Sequence, residues 1–345
     1  KNATDQAYIS IESTPFDIEI NKPISISKPR VKIEVPQSSL KQENEYWNAF
    51  KKDTLDKRKL GTYTSIDSLS LSERIEHKVF LGRKIINGYF PVSIFDIDLR
   101  SIVKYNNFEG FRLGVGAVTN SKLTEKYKVA FYGAYGLKDD EFKYGITPSY
   151  LAHSKSETWV SASYSDDISE IAQTNFITDS RRFKIYDPRP INISTFYNNR
   201  MSSVFVESKF LPKTSSYFGV SHNQIQPLFD YTFVNDGKSY TDYTISTVQL
   251  AFQWNPFSNY MQTPMGKIEY EKRHPKFSLQ LTQTLPGVLE NDFAFSKIDF
   301  KTFYELPYLS GQKSSILLQT GIAFGDVPIT HLYSIVPNNL NRDAI

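Results

Sequence analysis

The chain has 345 residues, no cysteine and a formal net charge of +3, and it contains 25 Phe and 22 Tyr residues. The absence of cysteine excludes disulfides, thiolate metal ligands and cysteine nucleophiles, and the small, interspersed charge gives no sign of a nucleic-acid-binding surface. No run approaches the roughly 18 apolar residues that a membrane helix requires, and the high aromatic content favours β-strands.

Residues 1–88 form a mixed region ahead of the long strands. Alternating Ile and Val residues between prolines at 18–35 predict short strands, and the pattern at 40–53 predicts a helix. Ser70 and Glu73 have the spacing of a capping box before an apolar stretch, which predicts a second helix. We interpret this part as a small α/β region whose helices pack on the region after residue 88, with a specific partner-binding role as the alternative.

Residues 89–345 are dominated by long strand patterns. Most of the predicted strands have nine to twelve residues, whereas strands average about 5–6 residues in soluble proteins. A tilted strand needs about 9–11 residues to cross a bilayer. The twelve predicted strands are 94–105, 108–118, 126–136, 143–151, 157–165, 201–210, 214–223, 243–254, 265–273, 276–284, 293–303 and 314–324.

The predicted strands separate an apolar face from a polar one. At 126–136, Tyr127 and Tyr135 stand at opposite ends of the face that carries Val129 and Phe131, as two membrane interfaces would select. A soluble sandwich also alternates with period 2. Long strands with aromatic ends nevertheless favour an all-β fold, a transmembrane antiparallel up-and-down β-barrel with lipid outside and a polar lumen inside.

The polar faces carry charges of both signs at close intervals. Opposite charges on neighbouring strands can pair across about 5 Å, so we predict a largely filled lumen in which Arg112, set among glycines, reaches a carboxylate. The predicted lumen charge network comprises Asp96, Asp98, Arg100, Arg112, Glu207, Lys209, Lys267, Glu269, Glu271, Arg273, Lys297, Asp299 and Lys301.

The lengths of the connections predict an orientation. The two longest, 166–200 and 224–242, are separated by two predicted strands and therefore lie on one side. Outer-membrane barrels place long loops outside the cell and short turns in the periplasm. By this rule residues 1–88 are periplasmic.

Four segments resemble a large Bacteroidota family of outer-membrane barrel proteins of unknown function. They are "YWNAFKK" at 46–52, "EGFRLG" at 109–114, "YGAYGLKDDEFKYG" at 132–145 and "FGDVPITHLYSIVPNNLN" at 324–341. The family usually carries an N-terminal carboxypeptidase-regulatory-like domain, which this sequence lacks, and more barrel strands than the twelve predicted here. The resemblance therefore implies a barrel at 89–345 that is truncated at its C-terminal end. It supplies no catalytic or binding residues.

No constellation of residues predicts chemistry. The five histidines lack metal-ligand spacing, and no nucleophile has an oriented base. The pairs Asp139–Asp140 and Asp166–Asp167 are predicted to be solvated turn carboxylates instead of a calcium site or an acid–base pair. We expect no catalytic residues, no cofactor and no metal.

These observations predict a non-enzymatic barrel in the outer membrane of a Gram-negative cell. Its expected partners are outer-membrane lipid and periplasmic or outer-membrane proteins, in envelope transport, assembly or partner binding, with no nucleic acid. The alternatives are an insertase or translocation barrel and a soluble β-rich binding protein. Fold alone cannot choose a substrate for any of them.

Overall fold

The computed structural model describes residues 75–171, 176–179, 195–263, 266–287 and 290–333, and before residue 75 it describes residues 20, 31, 33–35, 61, 65 and 68. The chain divides into two compact units, 1–30 and 31–345, and the described helix and strands all belong to the second unit. The strands predicted before residue 31, the helix predicted at 40–53 and the capping box of Ser70 and Glu73 lie outside the described residues.

The described part of the chain is built mainly from strands. The helix α1 (Ile75–Ile86) directly precedes the main sheet, and among the described residues no helix has the length and apolar character needed to cross a bilayer. The strands are β1 (Ile33–Glu34), β2 (Tyr89–Val92), β3 (Phe95–Asp98), β4 (Val103–Asn106), β5 (Gly110–Thr119), β6 (Tyr127–Gly136), β7 (Phe142–His153), β8 (Thr158–Glu170), β9 (Phe196–Ser208), β10 (Thr214–Pro227), β11 (Phe233–Asn235), β12 (Lys238–Tyr240), β13 (Tyr243–Trp254), β14 (Asn259–Thr263), β15 (Gly266–Glu271), β16 (Lys276–Thr284), β17 (Phe295–Pro307) and β18 (Lys313–Gly325).

Thirteen strands form one antiparallel sheet in which neighbours along the chain are neighbours in space. The order is β2-β3-β5-β6-β7-β8-β9-β10-β13-β16-β17-β18, and β4 also pairs with β5. This confirms the predicted all-β, antiparallel, up-and-down arrangement, and ten of the twelve predicted strands correspond to strands of this sheet. Among the described residues the edges β2 and β18 do not pair with each other, so the predicted closure into a barrel is not seen.

The prediction of one continuous strand at 94–105 is wrong, because a 3-10 helix at Leu99–Ser101 divides this stretch into β3 and β4. The Asp98 carboxylate accepts a 3.0 Å hydrogen bond from the Arg100 backbone N–H and a 2.7 Å bond from the Arg100 Nε. A short acidic side chain that captures nearby backbone N–H groups competes with strand pairing. Asp98 and Arg100 therefore pair with each other in a turn instead of facing a lumen from one strand.

The strand predicted at 265–273 is also not part of the main sheet. The hairpin β14–β15 and the parallel strand β1 form a separate three-stranded sheet, while β13 pairs directly with β16 through Thr247–Trp254. Polar and apolar residues do alternate at 265–273, but this period-2 pattern occurs equally in a short hairpin with one covered face. The connection 285–294 consequently lies at the same end of the main sheet as the longest connections.

The two ends of the main sheet differ in their connections. The connection 171–195 joins β8 to β9, and 228–242, with the hairpin β11–β12, joins β10 to β13. Since β9 and β10 lie between them, both are at one end, here named the long-connection end. The opposite, short-turn end carries the turns 154–157, 209–213 and 308–312 together with the hairpin β14–β15.

Candidate functional site: the two faces of the sheet

One face of the main sheet, here named the outer face, exposes a continuous set of large apolar side chains. On β5, Phe111, Leu113 and Val115 are 55%, 46% and 60% exposed. The largest apolar patch on an ordinary soluble monomer covers a few hundred Å², and an apolar face that runs across many strands is far larger. Further members are Phe131, Ile146, Val160, Val204, Phe218, Leu279, Ile298, Ile316, Leu318 and Ile322.

Aromatic pairs mark both ends of this outer face. At the short-turn end the rings of Tyr127 and Tyr150 lie 5.2 Å apart, and at the long-connection end those of Tyr135 and Phe142 lie 4.8 Å apart. Tyr127 and Tyr135 are separated by about 26 Å along β6, or by about 20 Å of height at a strand tilt near 40°. Apolar bands of outer-membrane barrels are about 25 Å tall and are flanked by aromatic girdles.

The opposite, inner face carries buried charges next to β5. The Arg112 guanidinium donates two hydrogen bonds to Asp167, with Nη1–Oδ1 and Nη2–Oδ2 distances of 2.6 and 2.8 Å. It also lies 3.5 Å from Oε1 of Glu109, and Lys143 pairs with both Glu109 and Asp139. Glu109, Arg112, Asp139, Lys143 and Asp167 are here named the inner charge cluster.

Neutral groups add hydrogen bonds to two carboxylates of this cluster. The Glu109 side chain is fully buried and accepts a 2.5 Å bond from Asn106 Nδ2, and the Tyr132 hydroxyl donates to Asp167 at 2.7 Å. A Cβ at residue 145 would lie 2.6 Å from the Tyr132 ring, so Gly145 makes room for that ring. Hydrogen-bonded buried ions favour a single arrangement of their side chains. Removal of one partner lowers the stability of the protein, because the other charge stays buried without a counter-charge.

Two segments outside the strands lie against the inner face. Phe176 is buried, and the Ile177 N–H donates to the Gln280 side chain on β16 at 3.0 Å. Asp179 forms an ion pair with Lys301 of β17, whose Nζ is 4.5 Å from the Phe176 ring centroid. Part of the connection from β8 to β9 is therefore folded into the interior.

The second segment comes after β18 and contains a 3-10 helix at Ile329–His331. The Thr330 hydroxyl lies 2.6 Å from that of Tyr243, and Lys297 Nζ donates to the His331 carbonyl at 2.8 Å. The Tyr333 hydroxyl donates to Asp299 at 2.7 Å. Because a Cβ at residue 321 would lie 2.6 Å from the Tyr333 ring, this contact depends on glycine there.

A buried apolar cluster fills the interior at the long-connection end. It joins the inner faces of β10, β13 and β17 to the connection before β17, and Phe293 contributes edge-to-face contacts with three aromatic rings. The cluster consists of Ile225, Tyr243, Ile245, Phe293 and Phe295.

The thirteen residues predicted to form one lumen network fall into separate groups. Arg112 belongs to the inner charge cluster, and Lys297, Asp299 and Lys301 lie on the inner face of β17. Asp96 is buried against Lys84 of α1. Asp98 pairs with Arg100 at the turn that follows β3.

The other predicted network residues lie at or near the short-turn end. Glu207 is near the end of β9, and Lys209 comes after that strand and binds Glu157 at 2.5 Å. Lys267, Glu269 and Glu271 belong to β15 and Arg273 lies just beyond it; Glu269 pairs with Lys276 at 3.2 Å and Glu271 pairs with Arg273 at 2.6 Å. This last group lies outside the main sheet, so its assignment to the inner face of a barrel strand is wrong.

The prediction of solvated turn carboxylates is wrong for two aspartates. Asp167 lies within β8 and binds Arg112, and Asp139 is mostly buried beside Lys143. The prediction ended the strand at 165, which placed Asp167 in a loop. Lys143 stands between Phe142 and Tyr144 in an alternating pattern, and this signal could have placed Lys143 on the inner face.

The comparisons with known proteins concern most of the main sheet. Residues 78–326 match the C-terminal domain of a family of unknown function (DUF5686). The chain belongs to this family. The predicted resemblance to a family of unknown function is confirmed, since "EGFRLG" and "YGAYGLKDDEFKYG" lie inside the matched range, whereas the Bacteroidota origin and the N-terminal regulatory-like domain remain predictions.

Other comparisons add little to this assignment. No protein with a curated description matches the chain. Among solved structures, the crystal structure of BamA from Haemophilus ducreyi lacking POTRA domains 1–3 is similar at 12% sequence identity and a TM-score of 0.40. The match covers 68% of this chain and 42% of that chain, so the chain spans less than half of that BamA structure.

Proposed function

We propose that this family member is a non-enzymatic, integral outer-membrane β-barrel protein of a Gram-negative cell envelope. The observation that carries the proposal is the outer face, where exposed aliphatic and aromatic side chains lie between aromatic pairs at the two ends of β6 and β7. In water this face would cost free energy in proportion to its area, whereas acyl chains cover it without that cost. Outer-membrane lipid is therefore its proposed partner.

The backbone of the main sheet is compatible with a bilayer once its edges are paired. Within the main sheet, every strand between β5 and β17 has hydrogen-bonded neighbours on both sides. Each unpaired backbone group in hydrocarbon costs several kcal/mol, and open edges do not occur there. We propose that β2 and β18 are joined in the membrane, either directly or through additional strands.

The filling of the interior at the long-connection end favours a scaffold or partner-binding role over that of an open pore. The segments 176–179 and 326–333 contact inward-facing side chains, and the charges of the inner cluster have partners of opposite sign. A general porin instead keeps a water-filled channel through a wider barrel of about 16–18 strands. The proposed partners are other envelope proteins, reached from a periplasmic short-turn end.

Fractionation of cells that express the full-length protein tests the proposal. We expect the protein in the outer-membrane fraction after a urea wash, with detergent required for release, because the outer face needs an apolar solvent. Heat-dependent migration on a gel should report the folded sheet. Recovery as a soluble monomer after lysis would overturn the proposal.

A further inference from the structure

A cavity of about 870 Å³ lies at the short-turn end of the interior. Its walls come from inward side chains of β16, β17 and β18, from the hairpin β14–β15 and from Asp179 of the inward-folded connection. Ligand cavities usually have volumes of about 300–1,000 Å³. The space therefore suits a molecule larger than a single inorganic ion.

The lining of this cavity is rich in lysine. Three carboxylates, Asp179, Glu269 and Glu305, also line it, so the formal sum is three positive charges when His274 is neutral. Burial lowers the pKa of His274 and the nearby Lys276 lowers it further, which keeps this imidazole neutral near pH 7. The lysines are Lys209, Lys267, Lys272, Lys276, Lys301 and Lys313.

The lining carboxylates are already engaged by three of these lysines. Glu269 accepts from Lys276 at 3.2 Å and Glu305 accepts from Lys313 at 3.0 Å, and Asp179 pairs with Lys301. Lys209 pairs with Glu157, which is not part of the lining. The ion pairs within the lining leave its formal sum at three positive charges, and Glu157 beside the lining offsets one of them, so a surplus of two remains.

This surplus is a local property of one end of the interior. The inner charge cluster near the long-connection end has three carboxylates and two cations, which leaves one negative charge. A concave site lined by one sign of charge concentrates oppositely charged solutes because its low-dielectric walls focus the field. Of these two parts of the interior, the short-turn end is therefore the one that attracts anions.

The lysines are also spread along the cavity. Lys313 is opposite Pro307 in the ladder between β17 and β18, and Pro307 is six residues beyond Lys301 on β17, which corresponds to about 20 Å along the strand. Neutral hydrogen-bonding groups, including those of Thr214, Asn255 and Tyr260, lie in the same wall. This spacing suits a ligand with several anionic groups in a row.

We propose that the cavity at the short-turn end binds a small, elongated polyanion that carries phosphate or carboxylate groups. Lysine ammonium groups act as point charges and accept either group. Under the proposed function the ligand would enter from the periplasm. The binding itself does not depend on membrane location, so a binding assay and the fractionation experiment can fail independently.

Isothermal titration calorimetry of the full-length protein in a zwitterionic detergent tests this site, with inorganic tripolyphosphate and citrate as separate probes. We expect saturable binding of at least one probe that weakens as salt is added. Lys272→Glu should weaken the association by about tenfold or more, because it lowers the charge of the lining from three to one. Binding of tripolyphosphate alone would assign phosphate, and binding of citrate alone would assign carboxylate.

Lys122→Glu is the matched control, since Lys122 lies in the turn between β5 and β6 at the same end and does not line the cavity. It makes the same change in net charge and should leave the affinity unchanged. Heat-dependent gel migration should show that both variants are folded. Absence of saturable binding to the parent protein, or equal loss in both variants, would overturn the site.

Discussion

The two ends of the interior are built differently. At the long-connection end, a buried aromatic cluster around Phe293, the 3-10 helix after β18 and the inner charge cluster occupy the space between the strands. At the short-turn end, the same sheet encloses a cavity of about 870 Å³ with a cationic lining. An interior that is filled at one end and hollow at the other suits a cup that receives a ligand from one side.

The largest expected effect comes from the filled end. Arg112→Met should destabilise the protein by about 3–5 kcal/mol, because it leaves Asp167 without its cationic partner and removes one of the two cations beside the buried Glu109. Urea unfolding in lipid vesicles, followed by tryptophan fluorescence, measures the change. Lys313→Met at the hollow end removes an exposed ion pair with Glu305 and should cost about 0–1 kcal/mol. Equal costs would contradict the difference between the ends.

A second prediction compares the outer face with the wall of the cavity. Phe300→Arg should cost about 2–4 kcal/mol if Phe300 faces the bilayer midplane. Gln253→Arg places the same side chain in the hollow end, where water is available, and should be milder. The same unfolding assay applies to both variants. A larger cost for Gln253→Arg would contradict the assignment of Phe300 to the outer face and Gln253 to the inner face. Asp299 is unsuitable as an inner control, because its side chain is buried against Tyr333.

A third prediction concerns the segment that covers the end of β17. Tyr333→Phe should cost about 1–3 kcal/mol, because the buried Asp299 carboxylate loses its 2.7 Å hydrogen-bond donor. Tyr304→Phe removes the corresponding hydroxyl from an exposed ring on the outer face and should change stability by less than about 0.5 kcal/mol. Identical unfolding curves for the two variants would show that the hydrogen bond from Tyr333 to Asp299 adds no stability.

The smallest expected signal is in electrical recordings. The full-length protein in planar bilayers should show no steady conductance, because side chains from 176–179 and 326–333 lie in the path through the interior. A variant that lacks residues 326–333 should conduct more often than the parent protein. A large conductance that is always open in the parent protein would show that the interior is not closed.

The sequence predicted the faces of the sheet better than its pairing. Period-2 alternation identified ten main-sheet strands and set Phe111, Leu113 and Val115 on one face, since alternation depends only on local backbone geometry. The same alternation could not tell a main-sheet strand from the hairpin strand β15. Pairing depends on distant partners, so the strand at 265–273 was assigned to the wrong sheet.

The inner charge cluster was predicted only in part. Arg112 was expected to reach a carboxylate, but its main partner, Asp167, lies 55 residues away, and no local pattern connects two such positions. In the turn at Asp98, a hydrogen bond over two residues prevailed over a strand preference. One-dimensional patterns therefore leave two features open. The first is local hydrogen bonding that competes with strand pairing, and the second is contact between segments that are distant in the sequence.

The short sheet formed by β1, β14 and β15 has a mechanical consequence. Ile33 and Glu34 pair in parallel with Met261 and Gln262, and the Val35 N–H donates to the Gln262 carbonyl at 2.8 Å. A pull on the chain ahead of residue 33 would load these bonds in shear. The force would pass through β14 into the ends of β13 and β16 without stretching α1, so the hairpin would anchor the N-terminal part of the chain against tension.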